Sequence, residues 1–231
     1  MIIMTPTSAS SSDEDDAPTS GSTPSQQPQP RRRKRLSRKE LMGETRAKIF
    51  RAAMEVVSQH GYAGATVGRV TEVAGIAQGT FYLYFESRQT LLDELLPYVG
   101  VEMLDFIREH TRGARDVFDM EERGFRAFFD YMRANPGFSR LIREAEFAAP
   151  VAYAQHHRHV EQRYVEALRR AVENGEIRDF ASSEIETVVY VLLAARSYLY
   201  NRYAEKADGA PAAVPEHVVR TYMKIVRGGL R

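Results

Sequence analysis

Apolar residues in this chain recur three and four positions apart, and no stretch between turn signals alternates at every second residue. The first spacing follows the pitch of an α-helix; the second is what a half-buried strand would need. Ile49, Ala52, Ala53, Val56 and Val57 trace one helical face. Leu91, Leu92, Leu95, Leu96, Val99, Leu104 and Ile107 trace another, and Val218, Val219, Tyr222, Met223 and Val226 a third. The chain is therefore expected to be all-α, with about nine helices. The stops and starts are also readable. Gly61 ends the first helix, and Thr66 sits where its hydroxyl caps a second, short one. Gly75 supplies the left-handed residue of a sharp turn. A third short helix is expected from Gln78 to Tyr84, and Ser87 caps a long one. Asp119 with Glu122, and Ser183 with Glu186, have capping-box spacing. Asn135-Pro136, Pro150 and Pro215 open further helices. Pro97 falls inside the long helix after Ser87, where a kink or break is expected.

Composition narrows the function. The chain has no cysteine, which excludes disulfides, thiolate metal sites and cysteine nucleophiles. Its longest apolar run, 188–195, is closed by Arg196 and is far short of the roughly 20 residues of a membrane span. Met1-Ile2-Ile3-Met4 stops at Thr5-Pro6 without a basic leader, so no secretion signal is expected and a cytoplasmic location is. Residues 1–30 are Ser, Thr, Pro, Gln and acidic residues, a composition that cannot offset its ordering entropy and is read as disordered. Charge is unevenly spread: 31–39 holds seven basic residues and no acid, and 13–16 is Asp-Glu-Asp-Asp. From 31 to 92 the net charge is +7, and from 93 onward it is −2. A basic front suits a polyanion. Three regions are expected: a tail with its basic arm over 1–43, a front domain over 44–95 and a helical domain over 96–231.

Two short helices joined at Gly75 have the layout of a helix-turn-helix, whose second helix lies in the major groove of double-stranded DNA. Within 78–85, Phe81 and Phe85 are four apart and face the core, while Tyr82 and Leu83 fall on the other side. Tyr84 lies near the helix end, and Gly79 keeps the helix close to the groove floor. Residues 61–92 resemble the DNA-binding domain of the TetR/AcrR family of transcriptional regulators. Gly61-Tyr62, Thr66-Val67, Ala74-Gly75, Gly79-Thr80-Phe81-Tyr82-x-Tyr84-Phe85 and Ser87-Arg88 fall at that family's spacing, within a match over about residues 44–95. The resemblance implies that Thr66, Tyr82, Tyr84, Arg88, Arg46 and Lys48 hold phosphates. It implies that Gln78, Gly79 and Thr80 begin the base-reading helix. Two residues depart from the pattern. Ala77 stands where a serine or threonine cap is usual, and Gln78 where lysine is frequent. Glutamine can pair with adenine through two hydrogen bonds.

The resemblance implies a helical domain behind this module that binds a ligand and makes a homodimer. The helix around 183–205 has apolar residues on more than one face, so it must be covered on two sides. One side reads as pocket wall and the other as dimer seam. Val191, Ala194 and Tyr198, with Val218, Val219, Tyr222 and Val226 on the last helix, are the expected interface. Met103, Phe106, Ile107, Phe125, Phe128, Phe129, Met132, Tyr153, His157, Tyr164 and Arg196 are the expected pocket, as readily an ordinary core as a ligand site. Arg143, Glu144, Glu146, His157 and Arg196 are candidates to orient a polar head group. A mostly apolar lining suits a small hydrophobic effector. His156 and His159 have chelating spacing but no third ligand, so no metal is expected; nor is any other cofactor, and no catalytic constellation is seen. The reading is a homodimeric repressor of a palindromic operator, released by its effector. An activator, a ligand-independent DNA binder, and a small helical enzyme or metal sensor are the alternatives.

Overall fold

The computed structural model describes residues 38–204 and 212–230. The low-complexity tail, its acidic cluster and the basic arm up to residue 37 lie outside the described residues. Among the described residues there are nine helices and no strand: α1 (Arg38–Gly64), α2 (Val67–Ala74), α3 (Gln78–Phe81), α4 (Arg88–Thr111), α5 (Val117–Ala134), α6 (Gly137–Ala148), α7 (Pro150–Glu173), α8 (Ile185–Tyr203) and α9 (Glu216–Gly229). None is long and apolar enough to cross a membrane.

Local chemistry accounts for most boundaries. The Thr66 hydroxyl accepts the Arg69 amide at the start of α2, and Gly75 closes that helix at φ 59°. Ser87 accepts the Thr90 amide at the start of α4. α1 is interrupted at Gly61, whose φ of 71° is outside helical geometry. Three expectations shift. The capping box of α5 lies one turn earlier than its sequence spacing suggests: Asp116 accepts the Asp119 amide at 2.7 Å, and Asp119 reaches back to the Arg115 amide at 3.0 Å. α8 begins without a side-chain cap; Glu184, not Ser183, takes an amide, that of Ala181. α4 runs through Pro97 as one helix from Arg88 to Thr111. A missing hydrogen bond need not break a helix that is packed on both sides of the proline.

A continuous apolar core joins the elements. α1 packs on α2, α4 and α6; α4 packs on α5 and α7; α7 packs on α8 and α5 on α9. Phe81 and Phe85 are fully buried beside Phe50, Leu91 and Leu92. Two glycines permit backbone contacts that no larger residue would. A Cβ on Gly137 would lie 2.3 Å from that of Ser58, bringing the start of α6 against α1. A Cβ on Gly100 would lie 2.2 Å from His156 Nδ1, so α7 presses its imidazole directly onto α4.

His156 is 3% exposed and its ring meets Phe138 edge-on. Burial first, then the neighbouring His157 and His159, push its pKa from 6.5 down to about 4. Unfolded, the imidazole takes a proton near its ordinary value; folded, it stays neutral. Its contribution to stability is complete above about pH 6.5 and is lost as pH falls towards about 4. The full difference is on the order of 3 kcal/mol. Urea denaturation of the chain and of its His156→Gln variant should show a steeper loss of stability between these pH values in the parent. Parallel pH profiles would contradict this account.

Candidate nucleic-acid interface

The reading edge is built from the inside out. Phe81 and Phe85, with ring centroids 5.6 Å apart, anchor α3 and the turn after it to the core. Phe50 meets Phe85 edge-on at 5.2 Å. These anchors leave the opposite side to solvent: Tyr82 is 56% and Leu83 76% exposed, and Gln78 and Gly79 are exposed beside them. α3 is only four residues long, and Ala77 supplies no side-chain cap. The Leu83 amide then donates to Thr80 and that of Tyr84 to Phe81, in tighter turns than the helix expected as far as Tyr84. A Cβ on Gly79 would meet nothing within 4 Å. Nothing among the described residues therefore needs a glycine there.

Other expected contacts surround this edge. Thr66 is exposed at the start of α2. The Lys48 ammonium lies over the turn, 3.7 Å from where a Gly75 Cβ would be. Thr80 and Tyr84 are half-buried. Two residues expected to hold phosphates are otherwise engaged. The Arg88 guanidinium donates to the Ala65 carbonyl at 2.8 Å and to the Tyr62 carbonyl. Arg46 pairs with Glu94 and lies over the Phe50 and Phe85 rings. In this structure both guanidiniums help to position α2 and α3. The Tyr62 carbonyl also accepts the Ala65 amide at 3.2 Å, so Arg88 adds a charged donor to a turn that already bonds to itself.

Glu144 also turns out to serve the head rather than a ligand. Its carboxylate accepts the Tyr62 amide at 2.6 Å and the Arg140 guanidinium at 2.6 Å. Arg140 in turn donates to the Ser58 carbonyl at 3.1 Å. Burial alone would raise the Glu144 pKa, but the bonds from Arg140 and the Tyr62 amide bring it below the usual value. Sequence spacing gave no sign of this contact, since it crosses from α6 to the break in α1.

In the second half, Met103, Phe125, Phe129 and Met132 are buried, and Phe106, Ile107, Phe128, Tyr153, His157 and Tyr164 are half-buried. Glu121, missed in the sequence, is the polar centre of this region at 3% exposure. It accepts Arg196 at 2.8 Å, the Tyr222 hydroxyl at 2.5 Å and the Tyr164 hydroxyl. It shares the apolar face of Val117, Phe125 and Met132, and an acid at such a position is the available signal. The buried Arg196 Nε and His157 Nε2 find no partner among the described residues. Burial lowers the His157 pKa. Burial first, then Glu121, drives the Tyr164 hydroxyl far above its ordinary value.

The expected interface divides. Val191, Ala194 and Tyr198 are exposed on α8. Val218, Val219, Tyr222 and Val226 are buried within the chain against α5, with Tyr222 stacked on Phe125 at 4.2 Å. These four are corrected from dimer seam to core: a one-faced helix cannot give the same face to its own chain and to a second one. Ile225, 69% exposed, is what α9 offers outward.

Residues 49–95 match the family model of bacterial regulatory proteins, tetR family. An uncharacterized HTH-type transcriptional regulator of Bacillus subtilis, YvdT, is 39% identical over 71 residues, 31% of this chain and 37% of that protein. The chain thus aligns with little more than a third of this relative's length. Among solved structures, the fatty acid degradation regulator FadR from Bacillus halodurans superposes with a TM-score of 0.64 at 21% identity, over 81% of this chain and 96% of that one. The transcriptional regulator FadR from Bacillus subtilis, in complex with stearoyl-CoA, gives 0.61 at 16% identity, over 80% and 99%. At these identities the likeness to the solved structures is one of fold.

Glu121→Ala leaves the buried Arg196 charge without its carboxylate. Chemical denaturation should report a loss of about 3–5 kcal/mol. Glu121→Gln, which keeps an acceptor, should cost less. A loss below 1 kcal/mol for the alanine variant would mean that the cluster is not closed by this carboxylate.

Proposed function

We propose that this chain, a member of the TetR family through its match over residues 49–95, is a homodimeric transcriptional repressor that leaves a palindromic operator when a small hydrophobic effector binds. The observation that carries the reading is the outward edge of α3. Gln78, Gly79, Tyr82 and Leu83 face solvent on a support fixed by the buried Phe81 and Phe85. Thr66 and Lys48 flank that edge with a hydroxyl and a charge. Phosphate contacts from Thr66, Lys48, Tyr82 and Tyr84, with Arg46 and Arg88 beside them, set the position of the helix, and Gln78, Gly79 and Thr80 begin the base-reading edge. Two copies are needed because one four-residue helix covers too few base pairs for specific binding.

The dimer uses the exposed stripe Val191, Ala194 and Tyr198 of α8, with Ile225 of α9. Exposed apolar residues at helical spacing suit a second copy of the same face. The effector enters the bundle formed by α4, α5, α7 and α8, lined by Met103, Phe106, Ile107, Phe125, Phe128, Phe129, Met132, Tyr153, His157, Tyr164 and Arg196. The stearoyl-CoA held by the structurally similar regulator supports a ligand with a long apolar part. Release follows if the ligand favours an arrangement of α4 whose recognition helices no longer match the DNA repeat.

Selecting genomic fragments on the purified protein at physiological salt tests the DNA-binding reading. A palindromic consensus is expected, and enrichment of no sequence overturns it. Gln78→Ala should relax preference at one position per half-site, by roughly 1–3 kcal/mol. Tyr82→Phe should weaken all sequences alike. An unchanged consensus for Gln78→Ala would mean that another residue reads the base. For the dimer, Val191→Asp with Tyr198→Glu should give monomers by sedimentation and abolish operator binding while helicity persists. A stable dimer of this variant would move the interface elsewhere.

A further inference from the structure

An open cleft of ≈ 340 Å³ lies where α1, α4 and the turn between α5 and α6 meet. It is separate from the bundle interior around Glu121 and Arg196, and the proposed effector has no role in it. Its volume is within the range of small-molecule sites. The apolar wall includes Phe50, Met54 and Tyr98. The Tyr98 ring stacks on Phe50 with centroids 4.2 Å apart and planes 16° from parallel, so this wall is ordered without a ligand. Glu55 of α1 and Glu102 of α4 also line the cleft, with Arg51 as its one cationic side chain. Glu55 accepts the Gln59 side-chain amide at 3.4 Å and Glu102 lies at the Tyr98 hydroxyl, both uncharged partners; no ion pair to either carboxylate is seen among the described residues. Two carboxylates and one guanidinium leave one negative charge beside an aromatic surface.

We propose that this cleft is a second ligand site, for a small organic monocation carrying one aromatic ring. The Phe50 ring already has Arg46 5.1 Å from its centroid and Tyr98 stacked on it, so the ligand ring packs on Met54 and Tyr98, where burial and the tyrosine ring favour a cation. The positive centre lies between Glu55 and Glu102 and neutralises the remaining charge. A neutral ring leaves the net charge of the lining uncompensated, and a cation without a ring leaves the apolar wall wet. The site touches both α1, which carries the reading head, and α4, which leads into the second half. A bound cation ties the carboxylate of one helix to that of the other and holds the head in the orientation seen here. At Gly137 and Ser58 the same seam is already at closest approach.

Calorimetric titration of the full chain with benzyltrimethylammonium chloride at low salt tests the site. Saturable binding of one probe per chain is expected, with a rise in thermal midpoint. Benzyl alcohol and tetramethylammonium chloride, which each carry half of the recognised chemistry, should bind roughly tenfold or more weakly. Glu55→Gln and Glu102→Gln, on different helices and both at exposed positions, should each weaken the probe several-fold while circular dichroism stays unchanged. Three results overturn the proposal: no saturable heat at millimolar probe, binding untouched by both substitutions, or benzyl alcohol binding as tightly as the cation.

Discussion

The reading head depends on how the turn after the Gly61 break is held. The Tyr62 amide donates to Glu144 of α6, while the Tyr62 and Ala65 carbonyls accept Arg88 at the start of α4. α2 begins two residues later, and α3 takes its place from α2. Backbone groups at such a break need partners beneath the surface, and the Ala65 amide supplies one more, to the Tyr62 carbonyl at 3.2 Å. Charged partners make these bonds stronger than neutral ones, and each charge is itself answered: Glu144 by Arg140, and Arg140 by the Ser58 carbonyl as well. The position of α2 and α3 is thus set from outside them, by α4, which the front shares with the second half, and by α6, which belongs to that half.

The second half has its own fixed point in Glu121. One carboxylate serves three donors from α7, α8 and α9. Removing a charge from water is costly unless its lone pairs are filled, and here they are. The Arg196 Nε is left without a partner in the same cluster. An uncharged acceptor on an apolar ligand would satisfy it without confronting the carboxylate.

Legibility in the sequence followed the range of the interaction concerned. Helical pitch, the Thr66 and Ser87 caps and the Gly75 turn are local chemistry, and the structure has them where the residues point. The inward Phe81 and Phe85 and the outward Tyr82 and Leu83 follow from spacing of the same kind. The α9 face was read as apolar, but nothing in one helix says which neighbour will cover it. Val218, Val219, Tyr222 and Val226 went to α5 of the same chain. Glu121 and the contacts of Glu144 and Arg88 were missed for the same reason, since their partners lie 43 to 101, 82, and 23 to 26 residues away. The α5 cap was misplaced by one turn because Asp116 and Asp119 offer the same spacing as Asp119 and Glu122.

α4 connects these two fixed points, and its neighbours differ along its length. Leu91, Leu92, Leu95 and Leu96 are buried in the core that contains α1 and the reading head. Past Pro97, the Val99 carbonyl accepts the Tyr131 hydroxyl of α5 at 3.3 Å, and Gly100 receives His156 of α7. Pro97 falls between the two sets. Its ring nitrogen cannot bond the Asp93 carbonyl, so a bend at this turn meets less resistance than elsewhere in the helix. The Gly100 contact has no slack: any shift of α7 along its normal moves the imidazole into the α4 backbone. Displacement of α7 by a ligand would then enter α4 one turn beyond its most compliant point. The helix is continuous through Pro97 in this structure, so any change of angle there would turn it as a whole and not break it.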